Sequence, residues 1–160
     1  MIGKGFPVKL FIPVVAVAIL DALTKKIALA TVFDPPRIIE VLPFVNIVPV
    51  WNDGISFGFL QNGGELSRYL LALVAFAVAL GLPLYARRWG NYACFGGLMM
   101  AGGAAGNGID RVIYGRVVDF IDLHAGQWHW PAFNLADMAI TTGAGLIIVA
   151  SLWEARAKEE

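Results

Sequence analysis

Four mostly apolar stretches, each close to the length of a membrane-spanning helix, constrain this chain more than any other feature: 8–30, 69–85, 92–109 and 135–153. A spanning helix needs about 20 predominantly apolar residues. Hydrophobic residues make up 58% of the 160-residue chain and charged residues only 15%, against about 25% charged in an ordinary soluble domain. One water-soluble domain of this size could not hide so much apolar surface, so lipid is the natural solvent. Tyr69, Tyr85, Trp89, Tyr92 and Trp153 sit near stretch ends, where aromatic rings prefer the headgroup layer. Pro83 fits a helix stopping near it. The expected fold is an all-α polytopic membrane protein, a single integral membrane domain over residues 1–160 with four transmembrane helices.

Four spans put both termini on one side. Lys4, Lys9, Arg87, Arg88, Arg156 and Lys158 would share that side, and Arg37, Arg68, Arg111 and Arg116 the other. This mild positive-inside bias places both termini in the cytoplasm. A competing reading of the first stretch is a cleavable signal peptide, with Lys4 and Lys9, the run Leu10–Leu20 and then Ala28-Leu29-Ala30. It leaves three spans and discards Asp21 and Lys25.

Residues 31–68 and 110–134 form the two extracytoplasmic segments. In the first, Pro35-Pro36 breaks any helix, and β-branched residues from Ile38 to Val50 suggest short strands. Asn52-Asp53-Gly54 marks a turn. The segment reads as a small β-containing cradle at the membrane face. The second carries most of the polar chemistry. The Lys158-Glu159-Glu160 end reads as a solvated tail. The formal net charge is zero, so nothing argues for a nucleic-acid partner.

An ionisable side chain at the centre of a span costs at least about 2.5–3.5 kcal/mol. Here such groups gather at one level. Asp21 and Lys25 lie near the outer end of the first stretch, Asn107, Asp110 and Arg111 end the third, Asn134 and Asp137 begin the fourth, and Asp119 lies between the last two. Asp21 and Lys25 are spaced i, i+4 and read first as a structural ion pair, with a direct catalytic role for Asp21 as the alternative. Asp110-Arg111 reads as a structural clamp. Spacing alone makes Asn134 an N-cap with Asp137 at the third helical position. Asp119 has apolar neighbours on both sides, which favours burial and a raised pKa.

Two carboxylates brought together can share one proton. The ionised one can take a proton from water and the protonated one can donate to a peptide carbonyl, which is peptide hydrolysis without metal or covalent intermediate. Other chemistries have weaker footing. Cys94, the only cysteine, lies in an apolar stretch with no histidine nearby in sequence. His124 and His129 fall short of the three or four ligands a zinc site needs, and Ser56 lacks a nucleophile-elbow setting. The glycines of the third stretch, including the Gly102–Gly106 pair, are explained by close helix packing.

Five stretches taken in order resemble the lipoprotein signal peptidase (signal peptidase II) family: Asp21–Lys25, Asn52–Gly58, Gly102–Arg111, Val117–Phe120 and Phe133–Asp137. The resemblance implies that Asp119 and Asp137 are the catalytic aspartates. It also implies that Asp21, Lys25, Asn52, Gly54, Gly103, Asn107, Arg111, Asn134 and Ala136 shape or support the site. It implies no metal and no cofactor. It further implies a diacylglyceryl-modified prolipoprotein substrate cut on the amino side of the lipidated cysteine. The enzyme would be a monomer in contact with membrane lipid, sensitive to globomycin-type cyclic peptides, in the bacterial cytoplasmic membrane with its site near the extracytoplasmic face. The resemblance overrides capping as the whole role of Asp137. Ser56 departs from the family pattern, where alanine is expected more often. A proton relay or transporter and a non-catalytic assembly protein remain the rival readings. A relay would need carboxylates spread through the bilayer depth, and the fourth stretch has no ionisable residue over 138–152.

Overall fold

A computed structural model describes residues 8–54 and 64–157. Lys4, the Ile55–Gly58 part of the second matching stretch with Ser56, and the 158–160 tail lie outside them. After a short 3-10 turn at Val8–Leu10, the chain forms α1 (Phe11–Val32), β1 (Ile39–Leu42), β2 (Val45–Asn52), α2 (Gly64–Ala86), α3 (Asn91–Tyr114), β3 (Val117–Ala125), β4 (Trp128–His129) and α4 (Leu135–Arg156). Each expected apolar stretch lies mostly within a long helix. Two of these helices, over Glu65–Ala86 and Leu135–Arg156, are long and apolar enough on length and composition to cross a membrane. In α1 the three charges of Asp21, Lys25 and Lys26 weaken that signal, and in α3 glycine and asparagine dilute it. Pro83 lies inside α2, which runs on to Ala86.

Where α1 carries Asp21 and Lys25 near its middle, the charge turns inward and the large apolar side chains stay outside. On α1, Asp21 and Lys25 are 0% and 2% exposed, while Leu20, Leu23 and Ile27 are 55%, 52% and 63% exposed. Water would select the opposite arrangement, because burying charge is costly and exposing leucine gains nothing. In a hydrocarbon surround the order reverses: leucine meets lipid without cost, and charges are kept inside and paired with one another.

Helix α3 packs against the other three helices. Its missing side chains are what let them approach. A Cβ on Gly102 would meet Val17 Cβ of α1 at 2.6 Å, and one on Gly96 would meet the Gly143 carbonyl of α4 at 2.5 Å. Without a hydrophobic force between helices in lipid, such close backbone contact supplies the association energy through van der Waals packing.

The β-branched residues of segment 31–68 form β1 and β2, as their composition predicts. Segment 110–134 holds strands that its sequence did not announce. All four strands join in one antiparallel sheet of order β1-β2-β3-β4. Val50 pairs with Asp119 and Asn52 with Val117. The sheet is seated on α1 through a small core of Ala28, Val32, Val118 and Phe120. Gly115 makes the junction from α3 to β3 possible. Its φ of 81° ends the helix in the left-handed region that glycine enters without steric cost.

Candidate active site

Asp119 comes from β3 and Asp137 from the first turn of α4, and Asn134 touches both. The Asn134 side-chain amide donates to Asp119 Oδ1 at 2.6 Å, and its backbone N–H donates to Asp137 Oδ2 at 3.2 Å. The second bond is half of a capping box. Asp137 N–H donates back to Asn134 Oδ1 at 3.0 Å. The predicted N-cap is therefore present, and it presents the cap's own acid to the site.

Each carboxylate has a second donor. Asn52 Nδ2, from the end of β2, reaches Asp119 Oδ2 at 3.0 Å, and Asn107 Nδ2, from α3, reaches Asp137 Oδ1 at 2.8 Å. A carboxylate offers about four lone-pair sites, and these donors occupy two on each. Asp119 is 1% exposed, while Asp137 is half-buried. Burial first, and the nearby Asp137 charge second, push the Asp119 carboxyl up to about 7, against the pull of its Asn52 and Asn134 donors and of Lys25. An acid of that kind exchanges a proton near neutral pH.

Behind the carboxylates lies a buried ion cluster. Lys25 Nζ lies 2.7 Å from Asp21 Oδ2, 2.8 Å from Asp110 Oδ2 and 3.0 Å from Asn107 Oδ1. The expected i, i+4 pair therefore forms, and Asp110 joins it. Asp21 Oδ1 accepts from the Ala136 N–H at 2.9 Å, tying α1 to the start of α4. Asp110 Oδ2 accepts from the Val118 N–H at 3.1 Å, tying α3 to β3 next to Asp119. Gly103 leaves room for the same junction, since a Cβ there would collide with the Ala136 carbonyl. Arg111 donates to the carbonyls of Asn107 at 3.2 Å and Gly54 at 2.8 Å, and Gly54 N–H donates to Asn52 Oδ1 at 3.0 Å. Arg111 thereby orients the turn that aims Asn52 at Asp119.

All eleven residues singled out in the sequence meet in this one network. Two further members escaped that selection. Asp110 was visible only as a clamp beside Arg111. Arg68 had no local signal; from α2 it donates to the Arg111 and Val112 carbonyls, both at 2.6 Å, and caps the end of α3. Cys94 sits apart from the site, packed against the apolar cluster of Val14, Leu98 and Ala101.

The chain resembles known proteins along nearly its whole length. Residues 13–153 match the model of the family described as signal peptidase (SPase) II. A lipoprotein signal peptidase of Paraburkholderia phymatum is 43% identical over 144 residues, covering 89% of this chain and 86% of the relative. One from Burkholderia thailandensis is 43% identical over 143 residues, covering 88% and 85%. A solved bacterial membrane enzyme, determined by the in meso method at 2.3 Å, superposes with a TM-score of 0.77 at 32% identity, covering 100% of this chain and 97% of its own. A second, at 1.9 Å, gives 0.74 at 31% identity. With its matched region spanning all four helices and the sheet, this chain belongs to the signal peptidase II family of bacterial membrane proteases.

Proposed function

We propose that this protein is a membrane-embedded aspartic endopeptidase that removes the signal peptide from diacylglyceryl-modified prolipoproteins, cutting on the amino side of the lipidated cysteine. The observation that carries the reading is the single residue Asn134, bonded to both Asp119 and Asp137, beside an Asp119 carboxyl raised to about 7. Such a pair holds one proton between two acids at neutral pH.

In the proposed reaction a water lies between the two carboxylates. The ionised aspartate takes one of its protons as the oxygen adds to the scissile carbonyl carbon, while the protonated aspartate donates to the carbonyl oxygen. The resulting gem-diol collapses, the C–N bond breaks, and a proton passes to the leaving nitrogen. The products are a signal-peptide carboxylate and a free amine on the lipidated cysteine. The protonation states of the two acids alternate over the cycle, so neither role belongs to one aspartate alone.

A substrate carrying two acyl chains stays in the bilayer, which suits a site at the junction of helices and sheet. In this reading all four helices span the bacterial cytoplasmic membrane, over about 8–30, 69–85, 92–109 and 135–153. Both termini are cytoplasmic, and segments 31–68 and 110–134 are extracytoplasmic, with the sheet as a cradle. The enzyme acts as a monomer, and a globomycin-type cyclic peptide occupies the same site. The test is cleavage of a lipidated prolipoprotein by purified Asp119→Asn and Asp137→Asn variants. Each is expected to lose about a hundredfold or more in turnover; a folded variant of either kind with near-normal turnover would refute the dyad.

A further inference from the structure

We infer that His129 and Asp122 form a positioning latch: their contact ties β4 to β3 and so seats Asn134 against the two carboxylates. The inference deepens the proposed aspartic-peptidase reading and rests on it.

Asn134 reaches the site at the end of a short segment that is held to β3 at both ends. Strand β4 has only two residues, too few to hold a register by itself. Beyond it, the backbone is tied to β3 by Trp130 N–H to the Leu123 carbonyl at 2.8 Å and Phe133 N–H to the Ile121 carbonyl at 3.0 Å, and the Phe133 carbonyl accepts from the N–H groups of Phe120 at 3.1 Å and Ile121 at 2.8 Å. Pro131 between them has no N–H to give. The latch sits at the start of this segment. His129 Nδ1 lies 2.9 and 3.0 Å from the two oxygens of Asp122. A ring nitrogen facing a carboxylate must carry the proton, so Nδ1 donates in both the neutral and the cationic imidazole.

The acceptor is built to stay in place. Asp122 is 6% exposed. Burial opposes its ionisation, but the His129 and Asn46 donors outweigh burial and hold its carboxyl below the usual range. Asn46 Nδ2 reaches Asp122 Oδ2 at 3.0 Å, so one carboxylate joins β2, β3 and β4. The His124 ring stacks on His129 with centroids 5.2 Å apart and planes 20° from parallel, which fixes the imidazole plane.

The consequence for chemistry follows from chain order. Asp122 lies three residues beyond Asp119 on β3, and His129 lies five residues before Asn134. The Phe133 bonds hold the near end of the 129–133 segment and the latch holds its far end, so a change at the latch reaches Asn134, and its 2.6 Å bond to Asp119, through that segment. His129 touches no reacting group; it acts through Asn134.

The test uses the full chain in lipid nanodiscs with a peptide substrate bearing a diacylglyceryl cysteine. His129→Ala is expected to lower kcat at least about fivefold with KM changed by less than about twofold. His129→Asn, whose amide can donate from the position of Nδ1, is expected to restore kcat to within about twofold of wild type. Amide exchange at Asn134 and Asp137 should quicken in His129→Ala and not in His129→Asn. Unchanged kcat in His129→Ala, or a His129→Asn as impaired as His129→Ala, overturns the latch. Where His129→Ala does not fold, His129→Asn decides: turnover within about twofold supports the latch and a greater loss overturns it. A wild-type protein that cleaves nothing sinks the peptidase reading instead, and the exchange rates at Asn134 and Asp137 then decide the latch alone.

Discussion

Lys25 on α1 donates to the side-chain oxygen of Asn107 on α3 at 3.0 Å, and that bond decides which way the Asn107 amide faces. An ammonium group only donates, so the atom it meets must be oxygen, and Nδ2 is left to donate to Asp137 at 2.8 Å. Lys25 also forms ion pairs with Asp21 at 2.7 Å and Asp110 at 2.8 Å. A cation 2% exposed is therefore paired with two carboxylates and hydrogen-bonded to an amide, the condition under which a buried charge is tolerated.

Asn107→Asp tests this polarity. The substitution keeps an acceptor for Lys25 but replaces the donor to Asp137 with a second carboxylate oxygen. Turnover of lipidated substrate is expected to fall at least about tenfold, and the thermal midpoint to fall with it, because a further carboxyl group at a position 8% exposed is set against Asp137 with no added cation to pair it. Near-normal turnover would mean that the Asn107 amide does not tune Asp137.

The pH dependence follows from Asp119, raised from 3.8 to about 7 by burial and then by Asp137. For an acid shifted upward, the folded state keeps the proton that the unfolded chain loses near 3.8. Asp119 thus holds its proton below about 7 and loses it above, so kcat/KM should decline by about tenfold per pH unit on the alkaline side. The same sign governs stability: between 3.8 and about 7 the folded state binds more protons, so this group's contribution weakens as pH rises through that window and is constant beyond it. A pH–rate profile level from about pH 6 to 9 would contradict this account.

Glycine substitutions separate packing from propensity. In Gly103→Ala the new Cβ would collide with the Ala136 carbonyl and meet Ile140 Cγ1 at 2.8 Å. Helix α4 must shift to admit it, carrying Asp137 along, so turnover should fall at least about tenfold together with a lower thermal midpoint. Gly81 is exposed on α2, and a Cβ there has nothing within 4 Å. Gly81→Ala should leave turnover unchanged and stabilise the helix by up to about 1 kcal/mol. Cleavage assays and thermal melts of the two variants in the same detergent check the contrast.

Much of this architecture was legible in the chain because it depends on short-range geometry. The apolar stretches mark the helices, since hydrogen-bonded backbone in lipid must close on itself. The spacing of Asp21 and Lys25 is one helical turn, and Asn134 precedes Asp137 by the three residues a capping box requires. Strand β3 was not legible, because Val117–Ile121 is a short stretch, apolar but for Asp119, whose period distinguishes neither strand nor helix. Arg68 was missed because its acceptors, Arg111 and Val112, lie on another helix.

By itself, then, the order of residues determined the solvent, the helices, the cap of α4 and the inventory of polar groups. Only the tertiary structure decided which of those groups meet. Asn52 and Asp119 are 67 residues apart, Lys25 and Asn107 82, and Asp21 and Ala136 115. No backbone periodicity reaches across such intervals. They close because the glycines of α3 admit α1 and α4 to near backbone contact, and because the sheet sets Asp119 in register beside the end of β2.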